Sequence, residues 1–141
     1  MIRFALRPLG KMIAHYLNQP IRHYYVPAAT KEAQDVASVL RPGDVLLVEG
    51  NLRISAVIKN LTNSTWSHAA IYIGNILGGE YRSDPPVLIE ADLEHGVVAV
   101  PLSHYRGLHT RICRPVGLTD ADLQRVISSA ASRIGHTYDL K

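Results

Sequence analysis

Ser64-Thr65-Trp66-Ser67-His68-Ala69-Ala70-Ile71-Tyr72-Ile73-Gly74 places a histidine at the head of an otherwise apolar run that closes on glycine. The run follows a polar turn, Thr62-Asn63-Ser64-Thr65, and predicts a strand from Ser67 to Gly74. Alternation along a strand puts His68, Ala70 and Tyr72 on one face and Ser67, Ala69 and Ile71 on the other. Ser67 and His68 therefore point apart and cannot pair by adjacency. The small alanines beside the imidazole leave space for another group to approach. The plain alternative is a hydrogen-bonded histidine at a strand end.

The next run downstream, Val87-Leu88-Ile89-Glu90-Ala91-Asp92, carries a carboxylate inside an apolar strand. An unpaired carboxylate is costly to bury. Either Glu90 lies on an exposed face, or it has a partner, for which a histidine on a neighbouring strand is suited. A carboxylate accepting from one ring nitrogen fixes the imidazole tautomer, which is the orienting role in Cys-His hydrolases.

The remaining elements follow outward from these two strands. Val97 to Val100 predicts a strand joined to Val87–Ala91 in a hairpin through Glu94-His95-Gly96. Leu108 to Arg114 predicts another strand, and residues 75–86 a loop rich in Gly and Pro. Upstream, Arg41-Pro42-Gly43-Asp44 is a turn leading into a short buried strand, Val45 to Val48. Ile54, Val57, Ile58 and Leu61 repeat at helical spacing, so residues 52–62 predict an amphipathic helix. Thr30 is placed to cap a helix from Lys31 to about Leu40. Thr119 opens a last helix with a capping-box pattern. Leu123, Val126, Ile127, Ala130 and Ile134 are its expected buried face, and Gly135 its end. Helices around a small antiparallel strand cluster make an α+β fold. The expected organisation is a basic helix and extended connection over residues 1–29, then one domain over residues 30–141.

The chain has 141 residues, 47% of them apolar and 19% charged, which excludes disorder and suits one domain. No apolar run approaches the roughly 18 to 20 residues of a membrane span. The single cysteine, Cys113, excludes an internal disulfide framework and cysteine-rich zinc modules. His95, His104 and His109 lack metal-ligand spacing, and no glycine pattern for a nucleotide is present, so neither metal nor cofactor is expected.

Charge is unevenly distributed. Residues 1–31 hold Arg3, Arg7, Lys11, Arg22 and Lys31 and no acid, whereas all twelve acids lie in residues 32–141. Ile2, Leu6, Leu9 and Ile13 sit near helical spacing among the first of these bases. Residues 1–23 therefore suit peripheral contact with a membrane surface. The alternatives are a helix packed on the domain and a frayed terminus. Pro8 and Gly10 weaken the helix. The bases are too sparse, and too little interleaved with aromatics, for nucleic acid to be a partner. The apolar stretch is broken by Arg7 and Lys11, so no signal peptide is expected, and the location expected is the cytoplasm or the inner face of a membrane.

Taken in order, Pro42-Gly43-Asp44-Val45-Leu46-Leu47-Val48, Trp66-Ser67-His68-Ala69-Ala70-Ile71-Tyr72-Ile73-Gly74, Ile89-Glu90-Ala91 and Gly135-His136-Thr137-Tyr138-Asp139 resemble the YiiX/YebB-like group of NlpC-type cysteine hydrolases, also labelled lipo-like proteins. These are circularly permuted papain-like enzymes, and the resemblance covers about residues 40–141. It implies that His68 is the general base, that Glu90 orients it, and that an amide or ester of a peptide, cell-wall or lipid substrate is hydrolysed. Tyr72, Asp44 and Tyr138 are the candidate substrate contacts; for Asp44 the alternative is a turn hydrogen bonder.

The resemblance also implies a nucleophilic cysteine after the Gly-x-x-Tyr-Asp segment, and none stands between Asp139 and Lys141. Cys113 does not match that position and reads as a half-buried strand residue, although Arg111 and Arg114 flank it. The expectation is a chain truncated before its nucleophile helix, with uncovered apolar sheet surface that favours self-association. The competing expectation is a non-catalytic domain of the same fold that binds a ligand or a membrane.

Overall fold

A computed structural model describes residues 2–21, 33–79 and 82–138. The elements in chain order are α1 (Ile2–Leu17), α2 (Ala33–Val39), β1 (Val45–Glu49), α3 (Arg53–Thr62), β2 (His68–Tyr72), β3 (Pro86–Asp92), β4 (Gly96–Pro101), a single 3-10 turn (Leu102–Tyr105), β5 (His109–Cys113) and α4 (Asp120–Ala131). The strands form one antiparallel sheet in the order β4-β3-β2-β1-β5. The fold is α+β, with helices packed on a small antiparallel sheet.

Register fixes which residues share a face, because partners in an antiparallel pair point the same way. Leu46 pairs with Ala70 and Ile112, and Ala70 with Glu90. This face carries the larger core: Leu46, Val48, Ala70, Leu88 and Val100 are buried with Tyr105, and Val36, Leu102 and Leu108 pack on them. The other face carries Ile89, buried with Ile73 against Ile127 of α4, with Ile71 and Val97 beside them. Each fully buried Leu or Ile contributes about 1.5–3 kcal/mol relative to exposure.

Several local expectations need correction. α1 runs unbroken through Pro8. In α3 the expected apolar stripe does not form the buried face. Val57 and Leu61 are exposed, and Ser55 is the buried residue. The cause is Gly50, where a methyl group would stand 2.3 Å from Ser55 Oγ, so α3 approaches the chain closely on its small side. α4 does begin at the Thr119 capping box: Thr119 Oγ1 accepts from Asp122 N–H and the Asp122 carboxylate accepts from Thr119 N–H. It ends at Ala131, before Gly135. Arg133 N–H donates to Ala130 O and Ile134 N–H to Ala131 O, a tightening to 3-10 geometry. Gly135 instead takes φ 91° and donates to Val97 O, turning the chain along the outer edge of β4. Val126 and Ile134, expected in the buried face of α4, are partly exposed. The cap expected at Thr30 and the start at Lys31 lie outside the described residues, as do Arg22 and Asp139.

Candidate active site

His68 is the first residue of β2, where Ser67 N–H still bonds Val48 O and holds the strand entry against β1. The Ser67 hydroxyl points to the other side and accepts from Gly50 N–H at 3.0 Å. Ser67 thus holds the loop after β1 and takes no part with His68. The imidazole projects from the face of the larger core, its side chain 29% exposed.

Glu90 enters from β3 on the same face. Its Oε2 lies 2.6 Å from His68 Nε2. The Tyr105 hydroxyl donates to the same oxygen, and His104 Nε2 stands 3.5 Å from Oε1. The Glu90 side chain is 5% exposed, so these partners replace most of its water. Burial opposes its ionisation. The hydrogen bonds from His68 and Tyr105, with the charges of His68 and His104, outweigh burial and hold the carboxyl below its ordinary value of 4.5. Tyr105 responds in the opposite sense: burial first, then the Glu90 hydrogen bond and charge, push its phenol far up, so it stays a donor.

An ionised Glu90 accepts and cannot donate, so Nε2 of the neutral His68 ring carries the hydrogen. Nδ1 then holds the lone pair, and among the described residues it takes no hydrogen bond. The arrangement is chemically a base with a fixed tautomer and an open nitrogen.

The other candidate residues lie elsewhere. Asp44 stands at the opposite end of β1, four residues from the Val48 position that pairs with His68, or about 13 Å along a strand. Arg114 holds it through Nε at 2.8 Å and Nη2 at 2.7 Å, and Arg41 N–H donates to it at 2.8 Å. The Arg114 hydrogen bonds lower its pKa despite burial. This is the turn hydrogen bonder of the sequence reading, locking the strand end. Tyr72 is at the same far end, pairs with Leu88 and packs on the larger core. Tyr138 is exposed, two residues beyond the His136 carbonyl that accepts from Val97 N–H at the β4 edge, near the His68 end of the sheet.

Cys113 pairs with Val45, which pairs with Ile71, so it lies on the α4 face, opposite His68. Three residues along and two strands across separate it from His68, on the order of 14 Å. Arg114, placed beside Cys113 by sequence, turns to Asp44 instead. The sequence reading missed Tyr105 altogether and considered His104 only as a metal ligand. The one signal available was their place after β4, the strand that pairs with β3.

A family model described as permuted papain-like amidase enzyme, YaeF/YiiX, C92 family, matches residues 39–141. The chain belongs to this family. The match begins just before the turn into β1 and takes in every strand of the sheet, so His68, Glu90 and Tyr105 all lie within the matched residues. No curated protein matches the chain. Among the described residues, no group of three or more His, Cys, Asp or Glu is placed to hold a metal ion.

Proposed function

We propose that this chain is the base-bearing part of a cysteine hydrolase that cleaves an amide or ester bond in a peptide, cell-wall or lipid substrate. The observation that carries the reading is the 2.6 Å contact between His68 Nε2 and Glu90 Oε2. In this reading, His68 Nδ1 takes the proton of a cysteine thiol. The thiolate attacks the carbonyl carbon, and the imidazolium returns the proton to the leaving group. Water then attacks the thioester with His68 again as base. Glu90 keeps the ring in the productive tautomer, and Tyr105 keeps Glu90 from rotating. Backbone N–H groups beside the nucleophile receive the oxyanion.

The nucleophile in this account is not Cys113, which faces away from His68 on the far side of the sheet. The position that the resemblance implies for it comes after the Gly135–Asp139 segment, and no cysteine stands there up to Lys141. In support, Gly135 and His136 bond Val97 at the outer edge of β4, and its neighbour Val98 pairs with Glu90. Two strands, β4 and β3, lie between that segment and β2, a separation of about 14 Å.

The coding sequence after codon 141 gives the first test. A cysteine ahead of a short apolar helix supports the reading, and a stop codon opposes it. In the protein so extended, a thiol-directed probe should label that cysteine, and His68→Ala should slow labelling at least about 100-fold. Labelling confined to Cys113 and indifferent to His68→Ala would contradict the assignment. A second reading, a domain that binds an acyl or peptidyl ligand without turnover, is favoured by one observation, the placement of the sole cysteine away from His68. A stop codon together with ligand binding that His68→Ala weakens would select it.

A further inference from the structure

We infer that α1 is a docking helix for an anionic lipid surface. Leu9, Met12, Ile13 and Tyr16 follow the i, i+3, i+4, i+7 pattern of a single helix face, and each is between 50% and 70% exposed. The helix rests on the domain through another side, where Ala14 is buried. Its apolar face is therefore turned outward, although a packed helix would turn it inward.

The exposed surface continues beyond α1. The Arg53 guanidinium stacks over the Tyr16 ring at 4.1 Å. Val57 and Leu61, both exposed, follow Arg53 at i+4 and i+8 along the same side of α3. The residues that follow α1 are held against the start of α3: Pro20 pairs with Leu52, Ile21 N–H donates to Asn51 O, and Arg53 N–H donates to Gln19 O. The two exposed apolar faces thus belong to one bolted-on unit.

Charge selects the occupant. Residues 1–31 carry five bases and no acid, and α3 adds Arg53, while its Lys59 is paired with Glu49 at 3.3 Å. Two acids reach this unit, Glu49 at Lys59 of α3 and Glu94 at the end of α1, where Asn18 and His15 meet it. In a two-fold pair of copies the basic segments would face each other and repel. An anionic bilayer offers the opposite sign over the whole surface and takes exposed Leu, Ile and Met side chains into its boundary, with Tyr16 and Arg53 at headgroup depth. Among the described residues no helix is long and apolar enough to cross a membrane, so the contact is peripheral. This inference stands independently of the hydrolase reading.

The test is co-sedimentation of the 141-residue chain with vesicles of phosphatidylcholine alone, or with about a third phosphatidylglycerol. Binding is expected to the mixed vesicles and to fall at least about tenfold without the anionic lipid, or when salt is raised to 1 M, where screening reaches roughly 3 Å. Met12→Asp with Ile13→Asp should also reduce binding at least about tenfold while leaving the thermal midpoint unchanged, because both side chains are exposed. A loss of folding in that pair is checked with Leu9→Asp alone, which should weaken binding in the same direction. Equal binding to both vesicle types, binding by the aspartate variants at the level of the unaltered chain, or a dimer that the variants dissociate with no vesicle binding at all, would overturn the inference.

Discussion

His68 and Glu90 meet diagonally across the sheet: the register partner of Glu90 is Ala70, two residues beyond His68, yet Nε2 and Oε2 are 2.6 Å apart. A diagonal pair has Cα atoms roughly 7–8 Å apart, a span that an imidazole and a glutamate side chain can bridge and that a shorter carboxylate bridges poorly. Ala70 makes the approach possible because its methyl leaves the space between them open. Glu90→Asp should therefore lose the contact although it keeps the charge. It is expected to behave like Glu90→Ala in a thermal unfolding series and in any assay of His68 reactivity. Retention of full function by Glu90→Asp would show that the span is not critical.

Tyr105→Phe removes a buried donor to a charged acceptor while preserving the ring in the core. Hydrogen bonds to charged groups contribute about 1.5–3 kcal/mol. Urea unfolding should show a loss in that range at neutral pH. Glu90 is held below 4.5 in the fold, so its contribution is complete above that value and disappears as pH falls through the folded-state value. The penalty of Tyr105→Phe should shrink along the same limb, and a penalty constant down to strong acid would count against it.

Asp44→Asn tests the lock at the other end of the sheet. Its carboxylate is 1% exposed and bound twice by Arg114. Loss of the charge should cost about 1–3 kcal/mol near neutrality, with no effect on His68 chemistry. The sign of the pH dependence follows from its lowered pKa. The stabilisation is complete above the ordinary value of 3.8 and is lost as pH falls through the lower folded-state value, so the two unfolding curves should converge in strong acid. A change in His68 reactivity comparable to that of Glu90→Gln would return Asp44 to the list of substrate contacts.

Gly96→Ala should dislodge the C-terminal segment. Gly96 has φ 76°, and a methyl there would stand 2.0 Å from the His136 carbonyl oxygen. The backbone strain alone exceeds roughly 1 kcal/mol, and the Val97–His136 hydrogen bond would be lost with it. Amide exchange at Val97 should accelerate while Leu46 and Val48 stay protected. Unchanged protection at Val97 would mean that the contact is not needed.

These predictions also mark what the sequence could reveal. His68 and Glu90 were legible because each is a polar residue in an apolar strand, and burial demands a partner. The strand cluster and the Thr119 cap were legible from periodicity and local hydrogen bonding. Tyr105 was hidden because a one-turn 3-10 segment has no periodicity to read, and its function depends on how the chain folds back after β4. Arg114 and Asp44 are 70 residues apart, and nothing local links them. The α3 stripe misled because Gly50 draws Ser55 inward, a tertiary effect that overrides hydrophobic periodicity.

The most direct test is long-range proton–nitrogen NMR of the His68 ring at a pH where it is neutral, in the unaltered chain and in Glu90→Gln. Hydrogen on Nε2 with a bare Nδ1 in the unaltered chain, and a mixed or reversed tautomer in Glu90→Gln, is the predicted result. A neutral ring protonated at Nδ1, or a tautomer indifferent to Glu90→Gln, would contradict an oriented base on this sheet.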